Sequence, residues 1–193
     1  MKRMHGTTIV AVHRGGVSAI AGDGQVTLGD TIVKKGAVKV RALEDGKILT
    51  GFAGAVSDAF TLLDKFESHL SSSKSNLLRA AVETVKEWRT DRVLRNLEAM
   101  LIVADDKQIL TLSGVGDVIA PDENVVAVGS GGAYAQAAAL ALLRHTDMAA
   151  PEIAETALKI AADIDIYTSG NATVLAVGGD SEAEGAEGAE VES

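Results

Sequence analysis

The chain has no cysteine among its 193 residues, which removes disulfides, thiolate metal sites and thiol catalysis together. No apolar run approaches the roughly 20 residues that a membrane-spanning helix needs. The opening Met1-Lys2-Arg3-Met4-His5-Gly6 lacks the apolar stretch of a secretory signal, so the expected location is cytoplasmic. There is no Gly-x-x-x-x-Gly-Lys-Ser/Thr phosphate loop, and any dependence on ATP must come from another polypeptide. The four histidines, His5, His13, His69 and His145, are scattered without metal-ligand spacing. A basic stripe is missing too. The formal charge is −9, but six acidic residues fall within 180–193, where there is no Lys or Arg, and the rest carries only about −3. A nucleic-acid partner is therefore disfavoured by the lack of a cationic surface, not by strong repulsion.

What is present is enough apolar material for one real core. At 47% hydrophobic residues, the chain fits a single domain plus a tail. The stretch 179–193, Gly, Ala and Glu almost throughout, has too little to bury to order itself and is expected to be a solvated tail. The expected division is a leader at 1–6, a folded domain at 7–178 and the tail at 179–193.

Short apolar runs punctuated by glycine-marked turns predict strands at 8–12, 17–21, 31–33, 38–41 and 47–52. From residue 55 the apolar period becomes helical, and a Ser71-Ser72-Ser73 break separates two predicted helices. A second β block follows at 98–104, 108–113, 117–120 and 125–128. Helices at 133–144 and 152–166 and a last strand at 173–177 complete the pattern. Blocks in the order β, αα, β, αα, β suit an α+β fold in which two antiparallel sheets pack face to face inside two helical layers, a four-layer αββα sandwich. The helix at 133–144 is apolar almost all round. Either neighbouring subunits cover it, or small alanines simply tolerate partial exposure.

Thr7 opens the apolar run Thr8-Ile9-Val10-Ala11-Val12 behind only six residues. Cleavage after Gly6 would make it N-terminal. A terminal threonine joins nucleophile and base in one residue, since its hydroxyl can attack a carbonyl while its α-amine, with an ordinary pKa of about 7.7–8.0, takes the proton. Lys2 follows Met1, so loss of methionine alone would not expose Thr7, and a second cut is required. Gly6, without a Cβ, can take the backbone geometry that lets Thr7 Oγ attack the preceding carbonyl. The plainer reading is that Thr7 and Thr8 merely begin a strand.

Other positions offer similar pairs of readings. Alternation in Val38-Lys39-Val40-Arg41 places Lys39 and Arg41 on one face, as a tuning cation for Thr7 or as edge protection. Asp23, between two glycines, could serve its own turn or pin that lysine. Gly51 and Gly54, in Gly51-Phe52-Ala53-Gly54, could present N–H groups to an oxyanion or serve close packing. The run Gly129-Ser130-Gly131-Gly132 imitates a dinucleotide loop, but Tyr134 stands where the fingerprint wants Gly or Ala.

The strings Gly6-Thr7-Thr8-Ile9-Val10, Ala21-Gly22-Asp23-Gly24-Gln25-Val26-Thr27-Leu28-Gly29, Gly51-Phe52-Ala53-Gly54, Trp88-Arg89-Thr90-Asp91-Arg92 and Gly129-Ser130-Gly131-Gly132, in this order and spacing, closely resemble the bacterial peptidases related to proteasome β subunits. The likeness runs from His5 to about Val177. It implies an N-terminal nucleophile hydrolase fold and a threonine-type endopeptidase. Thr7 would be the nucleophile, its amine the base, Lys39 and Asp23 the tuning pair, and Ser130 an aid to proton transfer through water. It also implies a sodium ion held by backbone carbonyls of Ala162, Asp165 and Thr168, which suits a hard cation. Two stacked hexameric rings would enclose the threonines, and a hexameric AAA+ unfoldase would deliver polypeptide. Many members of the family carry only Met before the threonine, so Lys2 to Gly6 make activity hinge on processing. An inactive ring subunit that never exposes Thr7 is the competing expectation.

Overall fold

Two neighbouring strands set the frame. β2 (Thr8–Arg14) and β3 (Val17–Asp23) pair antiparallel with Ile9 opposite Gly22 and Arg14 opposite Val17. The turn between them is Gly15-Gly16, both at positive φ, where glycine carries no Cβ penalty. The computed structural model describes residues 4–5, 7–54, 56–92, 94, 97 and 99–179. Residues 180–193 of the tail expected at 179–193, residue 55 of the first predicted helix and residue 98 of the predicted strand lie outside them, as do residues 1–3 and 6 of the leader.

β2 and β3 lie inside a four-stranded sheet completed by β11 (Val125–Gly129) against β2 and β12 (Ala172–Gly178) against β3. A five-stranded sheet faces it, in the order β10 (Val118–Ile119), β9 (Ile109–Ser113), β8 (Ala99–Ala104), β7 (Ile48–Gly54), β6 (Val40–Leu43). Period-two alternation sorts their side chains into three cores. Ile9, Ala11, Ile20, Leu49, Ala53, Ile102 and Ala104 meet between the sheets. Val10, Val12, Ala19 and Ala21 point the other way, onto α3 (Gly132–His145) and α4 (Ala150–Ala162). On the far side Ile48, Phe52, Leu101 and Val103 meet α1 (Val56–Ser72) and α2 (Leu77–Thr90), with Phe66 and Trp88 wholly buried. The layers are therefore helix, sheet, sheet, helix, the expected αββα sandwich.

A third, small sheet stands at the edge. β4 (Val26–Leu28) pairs antiparallel with β5 (Thr31–Lys34), and the short β1 (Met4–His5) pairs with the other side of β4, His5 opposite Thr27. The sequence pattern missed β4, whose three residues are too few to show a period. The strand expected at 38–41 begins at Val40 and runs to Leu43. Lys39 thus precedes the strand, and the face it was to share with Arg41 does not form; the Arg41 guanidinium lies over the Phe60 ring at 4.8 Å. The helix expected at 152–166 stops at Ala162, and Ile164 and Ile166, which extended the apolar pattern, are exposed. α3 buries Gly132, Ala135 and Ala139 and leaves Tyr134 exposed.

Phe66→Ala, which empties a buried aromatic site between α1 and its sheet, is expected to cost about 3–5 kcal/mol. Urea unfolding checks it, as a lower midpoint at an unchanged slope.

Candidate active site

Sheet register gathers the candidate residues in one row. Ile9 opposite Gly22 carries Thr8 alongside Asp23 at the end of β3, while Gly129 opposite Thr8 carries Ser130 to Thr7, and Ala172 lies opposite Asp23. The Ser130 N–H donates to the Thr7 carbonyl at 3.0 Å. Gly129 has φ +99°, and a Cβ there would sit 1.8 Å from the Thr7 carbonyl oxygen, so only glycine lets β11 approach this closely. Thr7 is buried, at 7% exposure.

Asp23 and Lys39 form the charged centre. They are 0% and 2% exposed, and the Lys39 ammonium donates to Asp23 Oδ1 at 2.9 Å and to the Gln25 carbonyl. The same Oδ1 accepts the Thr8 N–H at 2.8 Å, and Oδ2 accepts the N–H groups of Gln25 at 2.8 Å and Ser169 at 3.3 Å. Both readings of Asp23 therefore hold at once: it closes its own turn and pins the lysine. The edge-protection reading of Lys39 fails on its burial. Loss of hydration pushes the Lys39 pKa down, and the attraction and hydrogen bond of Asp23 oppose that without reversing it. Lys39 reaches the row because its own carbonyl accepts the Phe52 N–H at 3.2 Å, which fastens the residue to β7.

A second polar chain flanks Thr7 on the other side. Asp165 Oδ2 accepts the Ser130 hydroxyl at 2.7 Å and the Thr168 hydroxyl at 2.5 Å, and Oδ1 accepts the Tyr167 N–H at 3.2 Å. Because the one Thr168 hydroxyl proton goes to Asp165, the 2.6 Å contact between Thr8 Oγ1 and Thr168 Oγ1 has Thr8 as donor. Thr8 Oγ1 in turn accepts the Gly131 N–H at 2.9 Å. The N–H groups of the glycine loop thus serve Thr7 and Thr8, and a Cβ on Gly131 would meet the hydroxyls of Thr168 and Thr8 at 2.6 and 2.7 Å.

Thr7, Asp23, Lys39, Ser130, Asp165 and Thr168 are brought into one connected network. The candidate glycines sit differently. Gly51 is interior to β7, opposite Val40 and Ile102, and a Cβ there would meet Ile9 Cγ2 at 2.7 Å, so packing between the sheets by itself requires glycine. Gly54 ends β7 at φ +135° and is exposed. Ala162 closes α4, three residues before Asp165. Sequence reasoning missed Thr8, Gln25 and Ser169. Only Gln25 left a local trace, since an aspartate two residues before an N–H is an Asx-turn pattern.

Such a site holds a buried cation and a hydroxyl relay on either side of a threonine at the start of a strand. The proteasome subunit family model matches residues 4–177, and the chain belongs to that family. It is 56% identical over 169 residues to the ATP-dependent protease subunit HslV of Treponema denticola, covering 88% of this chain and 95% of the relative. The HslV subunit of Petrotoga mobilis is 56% identical over 170 residues, covering 88% and 96%. The crystal structure of HslV from Trypanosoma brucei superposes with a TM-score of 0.84 at 42% identity, covering 89% of this chain and 99% of that one. Thiobacillus denitrificans BPH in complex with epoxomicin, at 18% identity and a TM-score of 0.67 over 89% and 98%, shares the fold.

Asp23→Asn leaves the Lys39 ammonium buried without its counter-charge. It is expected to destabilise the fold by about 3–5 kcal/mol and to push the Lys39 pKa further down, because both influences that raise it are lost. Denaturant unfolding reads the first effect, and titration of the Lys39 Cε and Hε resonances reads the second.

Proposed function

We propose that this chain is the peptidase subunit of a self-compartmentalised, ATP-dependent protease, a threonine-type endopeptidase acting on unfolded polypeptide. The observation that carries the reading is the buried Asp23–Lys39 pair fastened to the N–H of Thr8, which fixes an ammonium group beside the residue that becomes the N-terminus. In the leader-bearing chain Thr7 Oγ attacks the Gly6 carbonyl, the acyl group passes from nitrogen to oxygen, and water hydrolyses the ester, freeing the amine. Residues 1–6 are thereby removed as a propeptide.

In the mature chain the Thr7 amine takes the proton of its own hydroxyl, directly or through water, as Oγ attacks the scissile carbonyl. Lys39 favours this in two ways: its charge disfavours a second ammonium nearby, and it stabilises oxygen charge developing at Oγ. The N–H of Gly54, at the exposed end of β7, receives the carbonyl oxygen; Gly51, paired on both sides in the sheet interior, is left to packing. The tetrahedral intermediate collapses, the substrate amine leaves with a proton returned from the Thr7 ammonium, and an ester remains on Oγ. Water then cleaves it with the same amine as base. Ser130, fixed by Asp165, relays protons at the water between them.

A sodium ion fits the loop after α4. Carbonyl oxygens at a helix C-terminus are hard donors with partial negative charge, and Asp165, whose carbonyl accepts the Thr168 N–H at 3.0 Å, keeps a second lone pair for it. Ala162, Asp165 and Thr168 would hold it, and the ion would brace the loop that carries the Asp165 and Thr168 side chains to the site.

The relatives' name, subunit of an ATP-dependent protease, supports assembly with an ATPase, and the missing phosphate loop fits that division of labour. The partner would be the AAA+ hexamer HslU, docked on two stacked hexameric rings of this chain in the cytoplasm. Substrate would lie extended beside the site strands, held by backbone hydrogen bonds.

Thr7→Ala is expected to abolish peptide hydrolysis without changing thermal stability by more than about 1 kcal/mol, and to retain the leader. Intact mass of the active protein should begin at Thr7; an active particle that keeps residues 1–6 overturns the reading in favour of another nucleophile. Lys39→Ala is expected to lower kcat/KM about 10²–10⁴-fold. Loss of the nearby positive charge makes the amine easier to protonate, so the rising limb of the pH–rate profile should move to higher pH.

A further inference from the structure

The β4–β5 hairpin is poorly covered for an apolar element. All four residues of β5 are exposed, Ile32 at 45% and Val33 at 55%, and Lys34 and Lys35 follow them on the surface. A short edge strand with unburied branched side chains marks a contact surface. Its anchorage is unusual: the hairpin leaves the body just after Asp23 and returns at Lys39. The Ala37 N–H donates to the Gly24 carbonyl at 2.9 Å and closes its base.

At the other end of β6 lies a groove of about 440 Å³ between the β6–β7 turn and α1. Leu43 and Leu70 line it as the apolar part, and Glu44, Asp45 and Glu67 supply three negative charges. The turn is held rigidly, with Glu44 and Asp45 at φ 50° and 54° and the Gly46 N–H donating to the Leu43 carbonyl at 3.1 Å. Among the described residues, neither the two hairpin lysines nor these three acids make an ion pair within the chain.

We propose that the hairpin of one copy seats in this groove of a second copy, Ile32 and Val33 against Leu43 and Leu70, Lys34 and Lys35 against Glu44, Asp45 and Glu67. The two surfaces match in chemistry: branched apolar groups with two cations meet an apolar groove with three anions. They are different patches at opposite ends of β6, so the contact is heterologous and propagates from copy to copy, closing into a ring when the rotation allows. Because Asp23 and Lys39 are the roots of the hairpin, the neighbour also braces the charged pair at the candidate site. The contact rests on the ring assembly proposed above and specifies its surface.

The test is charge exchange in the full chain, followed by sedimentation velocity. Lys34→Glu with Lys35→Glu, and separately Glu44→Lys with Asp45→Lys and Glu67→Lys, should each break the rings into species no larger than one stacked pair of chains, which melt as the parent does. An equimolar mixture should reassemble, since each acidic hairpin then meets a basic groove and each basic hairpin an acidic one, and peptide hydrolysis should return with it. If a reversed chain melts early, Lys34→Gln with Lys35→Gln takes its place, and its assembly should dissociate at lower salt than the parent's. A reversed variant that assembles like the parent, or a mixture that stays dissociated, overturns the contact. A parent that is itself a single chain in solution overturns the ring assembly as well.

Discussion

The carboxylate of Asp23 is the constraint on which the rest depends. It takes N–H groups from Thr8, Gln25 and Ser169 and the ammonium of Lys39, so one side chain joins β2, its own turn, the loop after α4 and the approach to β6. A buried charge pair is weak evidence of stability, because loss of hydration offsets most of its attraction. What it provides here is position. With four donors converging on two oxygens, the backbone at Thr8 has one arrangement, and Thr7, its neighbour, inherits it.

Close approach of the two sheets serves the same end. Gly22 and Gly51 stand where a Cβ would collide with Ile9, and their absence of side chains lets Lys39, on the five-stranded side, reach Asp23 on the four-stranded side. Packing energetics and site geometry are one problem in this fold: the inter-sheet core that excludes water is also what holds the Lys39 pKa down.

Much of this was legible in the sequence. The near-continuous apolar runs at 8–12 and 17–21 report strands buried on both faces, and the change of period after residue 55 reports the helical layers, so the αββα order follows. Thr7, Asp23 and Ser130 stand out beside glycines, Lys39 stands out only through an alternation that the strand does not keep, and the roles of all four come from the resemblance. Their connections do not show, because a hydrogen bond between Asp23 and Lys39 spans a hairpin whose β4 is too short to show a pattern. The end of α4 was hidden for another reason. Ile164 and Ile166 prolong the apolar pattern, but Asp165 captures the Tyr167 N–H and the Thr168 hydroxyl with its own side chain, and such local bonds compete with further helix. Thr8 looked like an ordinary strand residue, since nothing local shows that its hydroxyl ends a chain reaching Asp165.

The central claim is that the fold sets a fixed positive charge beside the α-amine of a processed Thr7. The most direct measurement is the pKa of that amine, followed by nitrogen-15 resonance in the mature protein labelled at threonine. The account expects a value below the ordinary 7.7–8.0 or so, rising when Lys39 is replaced by alanine. An amine that titrates at or above the ordinary value, unmoved by that replacement, would contradict it.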